Sequence, residues 1–450
     1  MRSADQPDPS SRPLRAIVLG VNGHPRSVAA IRSLARAGIP LIGVKTTTVT
    51  QECYSRYLWR PVVVEPREEE LLPFLASLGQ KEGGVIFPVY DQYIRLVSMH
   101  AESLSKRFVL TVPPWEILSR VMDHERLYEI ARQAGLDTPV FMKPRDEADL
   151  DSIIAGLDLV HREYLLKTIP AIGPAELRTG RATKVAGADP EAVRASCIEI
   201  FSRLGEYPLI VEVVPGEANR CYAVTMVVDR NQTPLLTYCT QRLKLQLYSR
   251  GGFVHPYELG SNVYCESVRD EEAIEAATRL VKAAGYYGLI TLEFRRDPRD
   301  RRLILIKADP RVVRATSIST ALGMDTPTAL YRLSVDGRLD APKSYPLGVG
   351  WLWETALLES IWDNRDSQSM RQEMLAVARN FKRVKAFALF SLADPLPFIM
   401  HAQWRTRAWI WYRIKGITGR CVNAARSLWL RRKRPFRNIG EPASQSSKPS

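Results

Sequence analysis

Apolar positions at the start of the chain switch repeatedly between two periods. Ala16-Ile17-Val18-Leu19 is a short continuous apolar run ending at Gly20; Val28, Ile31, Leu34 and Ala35 then recur at helical spacing, and Gly38 to Val44 is a second run of strand length. Val62 to Val64, a helical pattern near Leu71 to Leu78, and Val85 to Val89 continue the alternation. Residues 15–112 therefore predict a small open α/β sheet with parallel strands. Gly20, Gly23 and Pro25 punctuate the first turn, but G-x-x-G-x-P is not the dinucleotide-binding fingerprint. A structural turn is the preferred reading there, with a phosphate cradle as the alternative.

Pro113-Pro114 interrupts this pattern, and an amphipathic helix from Trp115 to Ala134, stopped by Gly135 and followed by Pro139, opens a second domain. Tyr164 to Thr168 reads as a strand carrying a lysine, and Pro208 to Val214 as a strand closed by Pro215-Gly216. Val224 to Val228 and Leu235 to Thr240 form a hairpin pattern around Asp229 to Thr233. A helix is expected from Glu271 to Ala284, then a final hairpin of Gly288 to Phe294 and Leu303 to Asp309 around a charged turn.

Composition fits this picture: 450 residues at 45% hydrophobic and 25% charged make a globular chain of two or three domains. The first fifteen residues lack the apolar core of a secretory signal and no uninterrupted apolar stretch reaches membrane-spanning length, so the expected compartment is the cytoplasm. Six scattered cysteines with no C-x-x-C pair argue against a zinc site and a disulfide framework. The six histidines form no metal-ligand spacing, and neither G-x-S-x-G nor H-E-x-x-H occurs.

Candidate chemistry gathers between residues 113 and 335. Lys167 ends an apolar strand, where an ammonium either meets an anion or snorkels to water. The segment from Ile172 to Lys184 is rich in small and basic residues, and Gly180 permits bending. Val211 to Glu217 is a strand end, Gln241-Arg242-Leu243-Lys244 brings two cations after the central hairpin, and Glu293 faces Lys307-Ala308-Asp309-Pro310-Arg311 across the last one. With an odd number of residues in that loop, Glu293, Lys307 and Asp309 share one face. In this order and spacing, residues 15–335 resemble an ATP-grasp ligase of the carboxylate-amine type.

That resemblance implies a fold of mixed α/β and α+β class: an N-terminal open parallel α/β domain (15–112), a two-lobed ATP-grasp domain (113–335), and a mainly helical C-terminal extension. It implies Lys167 on the α- and β-phosphates of ATP and a flap bearing Lys184 over the triphosphate. Glu212 and Val214 would serve the adenine edge, and Glu217 the ribose. Arg242 and Lys244 would orient an acyl phosphate or a substrate carboxylate, and Arg311 would stabilise the transferring phosphoryl group. Glu293 and Asp309 would be oxygen ligands of Mg²⁺. Two positions depart from the pattern. Lys307 stands where a metal-bridging glutamate is usual, and an ammonium cannot ligate Mg²⁺. His124, in Asp123-His124, replaces the lysine of an Asp-Lys pair on the phosphates. The implied reaction is ATP-dependent activation of a small-molecule carboxylate for attack by an amine or thiol; the alternative is a nucleotide-binding relative acting as a sensor, scaffold or membrane-associated adaptor.

The net charge of +14 is confined to one segment, because residues 379–437 hold fifteen Lys or Arg against the single acid Asp394. Residues 336–440 read as a basic, Trp-rich helical region, with Asp394-Pro395-Leu396-Pro397 as a break between helices within it. Trp404, Trp409, Trp411 and Trp429 lie among the arginines, and Ile410, Ile414, Ile417, Cys421, Ala425 and Leu428 keep helical spacing. Residues 398–437 thus suit either an anionic membrane surface, on its cytoplasmic face, or a helix packed on the main body. Nucleic acid ranks below both, since no recognition module accompanies the segment. Residues 1–14 and 441–450 are expected to be disordered.

Overall fold

The computed structural model describes residues 13–45, 53–58, 62–63, 68–81, 83–167, 182–185, 189–246, 261–357, 375 and 378–404. Residues 1–400 form one compact unit and 401–450 another, and the three sheets all belong to the first. The patterned stripe from Ile410 to Leu428, like residues 1–12 and 441–450, lies outside the described residues.

The first sheet is open and wholly parallel. Its strands are β1 (Ala16–Leu19), β2 (Leu41–Lys45), β3 (Val62–Val63), β4 (Val85–Pro88) and β5 (Val109–Leu110), in the spatial order β3-β2-β1-β4-β5. The continuous apolar runs of β1 and β4 are buried on both faces, as strands of a parallel sheet covered by helices should be. Strand order reverses between β1 and β4, so the ends of these two strands open a crevice. Out of that crevice run the helices Pro25–Arg36 and Asp91–Met99.

A four-stranded sheet follows, built from β6 (Phe141–Met142), β7 (Tyr164–Lys167), β8 (Ala182–Val185) and β9 (Leu209–Glu212) in the order β6-β9-β7-β8. Tyr164 and Leu166 point to one side, where they pack with Leu150 and Ile154 of the helix Glu147–Ala155 and Val193 and Cys197 of the helix Pro190–Leu204. Period-two alternation sends Leu165 and Lys167 to the opposite side.

The largest sheet has seven strands. These are β10 (Cys221–Val228), β11 (Pro234–Gln246), β12 (Ser261–Val268), β13 (Gly288–Arg296), β14 (Leu303–Asp309), β15 (Gly350–Leu352) and β16 (Val384–Phe387), in the order β14-β13-β10-β11-β12-β15-β16. Val224, Met226, Ile290, Leu292 and Phe294 join the core beneath the helix Glu271–Ala283, whose Ala277 and Leu280 are fully buried. β15 and β16 lie beyond residue 335, so the sheet continues into the segment expected to be mainly helical.

One expected helix is two. The stretch from Trp115 to Ala134 divides into Trp115–Met122 and His124–Gln133 because Asp123 leaves the helical conformation and caps the second, its Oδ1 accepting from the Glu125 N–H at 2.9 Å. Asp394 likewise does more than break helices. Its buried carboxylate accepts from Arg32 Nε and Ser55 Oγ, both at 2.8 Å, and from the Arg56 N–H at 2.9 Å, while Arg32 Nη2 donates to its carbonyl at 2.6 Å. The far end of this unit is thereby tied to the helix Pro25–Arg36. Among the described residues, no helix is long and apolar enough to cross a membrane, and five cysteines (Cys53, Cys197, Cys221, Cys239 and Cys265) are buried and unbridged.

Candidate active site

One face of the large sheet, read across its strands, forms the floor of a cleft. Cys221, Ala223 and Thr225 of β10, Tyr238, Thr240 and Arg242 of β11, and Thr291, Glu293 and Arg295 of β13 recur at the every-second-residue spacing of a single face. β14 adds Lys307 and Asp309. The pairing of Glu293 with Lys307 and of Thr291 with Asp309 puts the three charged side chains on that face, but the required odd residue is a bulge at Ile306 in the strand, not an extra residue in the turn. Leu165 and Lys167 of the small sheet, His124, and Asp91 and Arg26 in the first turns of the helices that follow β4 and β1 complete a cavity of about 380 Å³.

The floor carries an alternating chain of charges. Arg242 pairs with Glu293 Oε1; Lys307 Nζ lies 3.3 Å from the same oxygen and 3.0 Å from Asp309 Oδ2. Arg311 Nη2 donates to Asp309 Oδ1 at 2.6 Å and Arg311 Nε to Asp91 Oδ1 at 2.6 Å. Burial by itself would raise the Glu293 carboxyl, but Arg242 and Lys307 outweigh it and hold the group below the ordinary glutamate range. Asp309 is pushed in the same way well below the usual carboxylate range, against burial, by Arg311 and Lys307. Both acids are therefore ionised and both are already engaged by cations.

Lys167 is aimed by a neutral partner. Its Nζ donates to Tyr128 Oη at 3.0 Å, and that hydroxyl donates in turn to the Ile306 carbonyl at 2.7 Å, at the β14 bulge. His124 packs edge-on against the Tyr128 ring one helical turn away, with centroids 6.0 Å apart. Lys167, His124, Arg242, Glu293, Asp309 and Arg311 thus meet in one cavity, although Lys167 and Arg311 are separated by 144 positions in the chain.

Other expected residues are placed elsewhere. The Glu212 carboxylate is buried between Arg162 (2.8 Å) and Arg299 (2.7 Å), and the Val214 carbonyl accepts from Arg295 Nη1 at 2.7 Å. Glu217 is exposed, 3.4 Å from Asn219 Nδ2. None of the three lines the cavity. Lys184 pairs through its backbone with Leu165, and Lys244 through its backbone with Tyr264; their side chains, and the flap from Ile172 to Arg181, lie outside the described residues.

Sequence reasoning missed Arg26, Asp91, Arg314 and Tyr128. Tyr128 alone carried a local signal, its place one turn after His124 on an amphipathic helix. The Asp91–Arg311 contact joins residues with no local pattern between them.

The donor set does not fit the paired magnesium ions implied by the sequence resemblance. Glu293 and Asp309 are only two carboxylates, and Lys307 sits between them with its ammonium where a bridging cation would go. Among the described residues there is no cluster of three or more His, Cys, Asp or Glu side chains able to hold a metal.

The chain matches no protein-family model and no curated protein sequence. Solved structures do resemble it. Biotin carboxylase from Campylobacter jejuni, in complex with β-γ-ATP, superposes with a TM-score of 0.55 at 16% identity, covering 75% of this chain and 74% of that one. N5-carboxyaminoimidazole synthetase from Staphylococcus aureus gives 0.52 at 15% identity, covering 74% and 80%, and L-amino acid ligase from Bacillus licheniformis 0.51 at 14%, covering 74% and 78%. At these identities the likeness is one of fold, and the fold is that of the ATP-grasp proteins.

Proposed function

We propose that the cleft binds ATP and that the protein uses it to join a small-molecule carboxylate to an amine, or to a thiol. The observation that carries this reading is the charge of the cavity wall: five Lys or Arg side chains (Lys167, Arg242, Arg295, Lys307 and Arg311) outnumber three acids (Asp91, Glu293 and Asp309). A concave wall with that surplus selects a polyanion, and the triphosphate of ATP is one of matching charge.

In this reading Lys167 holds the phosphate chain from the small-sheet lobe. Lys307 acts as a built-in cation on the floor, in the seat between Glu293 and Asp309. A carboxylate oxygen of the substrate attacks the γ-phosphorus, the bond to the β,γ-bridging oxygen breaks, and ADP leaves with the electron pair. Arg311, oriented by Asp91 and Asp309, stabilises the charge on the transferring phosphoryl oxygens, and Arg242 orients the acyl phosphate. The amine nitrogen then attacks the carbonyl carbon, phosphate departs, and the nitrogen's proton passes to solvent or phosphate. Because the donor set does not suit Mg²⁺, no step runs through it.

Incubation of the full chain with ATP and pooled small carboxylates and amines should release ADP and phosphate in equal amounts. Lys167→Met should weaken ATP binding about tenfold or more, as expected for loss of a charge-assisted contact. Absence of ADP release with ATP binding intact would favour the second reading, a nucleotide-binding protein without turnover, to which the Lys307 seat gives specific support. Failure to bind ATP would end both.

For the basic segment 398–437 we propose contact with anionic lipid, on its composition of arginine and tryptophan. The full chain should pellet with phosphatidylserine vesicles and a chain truncated at residue 397 should not. Equal pelleting of the two sinks the idea.

A further inference from the structure

The structure assigns a second anion site to the same cleft: Arg26 and Arg314, with the N-terminus of the helix Pro25–Arg36, form a seat for a carboxylate or phosphate group on the non-nucleotide substrate. This rests on the ligase reading and adds the substrate's class, an acid or amine bearing an anionic group of its own.

The seat is built from the turn after β1. Gly20 adopts φ +97°, and a Cβ there would come within 2.6 Å of the Tyr90 ring, so only glycine lets the chain pass. Asn22 then gathers the turn: its Oδ1 accepts from the His24 N–H (2.9 Å), from Tyr90 Oη (2.8 Å) and from Ser27 Oγ (3.1 Å). This knot fixes the start of the helix Pro25–Arg36 at the point where strand order reverses, the crevice in which open α/β sheets hold ligands. Arg26, the second residue of that helix, lines the cavity. Its Nε is buried and has no hydrogen-bond partner among the described residues, and the guanidinium lies 5.5 Å from the Tyr90 ring centroid. Arg314, on the same cavity wall, stacks 5.5 Å from the Trp353 ring centroid.

Such an arrangement is unfavourable without a ligand. Burial, and then the neighbouring charges of Arg311 and Arg314, push the Arg26 guanidinium down to about 9, and the attraction of Asp91 does not offset them. Arg26 lies in the first turn of the helix Pro25–Arg36, at its positive end. An oxyanion placed here relieves the repulsion and satisfies the buried donor. The seat is carried by the helix after β1 and the segment after β14, whereas Lys167 belongs to the small sheet.

The test uses the full chain in isothermal titration with malonate and, separately, inorganic phosphate, each with and without ADP at saturation. At least one of the two anions should bind the unmodified protein, with affinity falling at least about tenfold in Arg26→Gln and in Arg314→Gln, while ATP affinity changes less than about twofold. Whichever anion binds more tightly identifies a carboxylate or a phosphate as the group recognised. Ligand-free Arg26→Gln should melt no lower than the unmodified protein, because the substitution removes repulsion. The proposal is overturned if neither anion binds, if Arg26→Gln loses ATP affinity as severely as anion affinity, or if that variant melts several degrees lower. Anion binding lost on Arg26→Gln in a protein that binds no ATP would leave this site standing and remove the ligase reading instead.

Discussion

Replacing Lys307 with glutamate should make ATP binding depend on magnesium. In the unmodified protein the ammonium lies 3.0 Å from Asp309 and 3.3 Å from Glu293, so the two acids are already neutralised by a side chain that cannot leave. ATP affinity measured by calorimetry should then differ less than about threefold between excess Mg²⁺ and EDTA. Glutamate at 307 would put three carboxylates on one face. Unit charges about 4 Å apart near a protein surface interact by roughly 4 kcal/mol, so even a heavily screened fraction of that repulsion lowers affinity at least about tenfold in EDTA. Added Mg²⁺ would have oxygen ligands to bind and should restore it. If unmodified protein already requires Mg²⁺ for ATP and Lys307→Glu changes nothing, Lys307 is not acting as the resident cation.

Asp394→Leu should be strongly destabilising although it lies outside the cleft. Arg32 and Asp394 are both buried, at 6% and 1% exposure, so removing the acid strands a guanidinium together with the Ser55 and Arg56 donors. Breaking a buried pair from one side costs about 3–5 kcal/mol, whereas replacing both partners by apolar groups is often close to neutral. Chemical denaturation should therefore show Asp394→Leu losing several kcal/mol and the double variant Arg32→Met/Asp394→Leu recovering most of the loss. A single variant within about 1 kcal/mol of the unmodified protein would mean that this contact does not hold the segment in place.

What the sequence revealed of this fold was whatever repeats locally. β1 and β4 announce themselves as continuous apolar runs, and the helix Glu271–Ala283 as a stripe of alanine and leucine. The shared face of Glu293, Lys307 and Asp309 followed from strand alternation, although the residue that makes the register odd sits in the strand, where backbone geometry decides and no side-chain pattern marks it. The split at Asp123 was legible in principle, since aspartate is a favoured N-cap, but the amphipathic period runs across it and masks the break. β15 has three residues, too few to display any period, and it exists because the edge of β12 is there to pair with. Asp91 and Arg26 could not be found at all by spacing. They reach the cleft because β1 and β4 are neighbours in space, and that is settled by the topology of the sheet.

The hydroxyl shared between Lys167 and the Ile306 carbonyl has a thermodynamic consequence. A lysine side chain left in solvent carries about 2 kcal/mol of rotamer entropy, which any anion recruiting it must overcome. Here that freedom is already surrendered when the chain folds, and the ammonium waits on a neutral oxygen that releases it readily. An arriving phosphate therefore meets a side chain already held in place instead of catching a moving target.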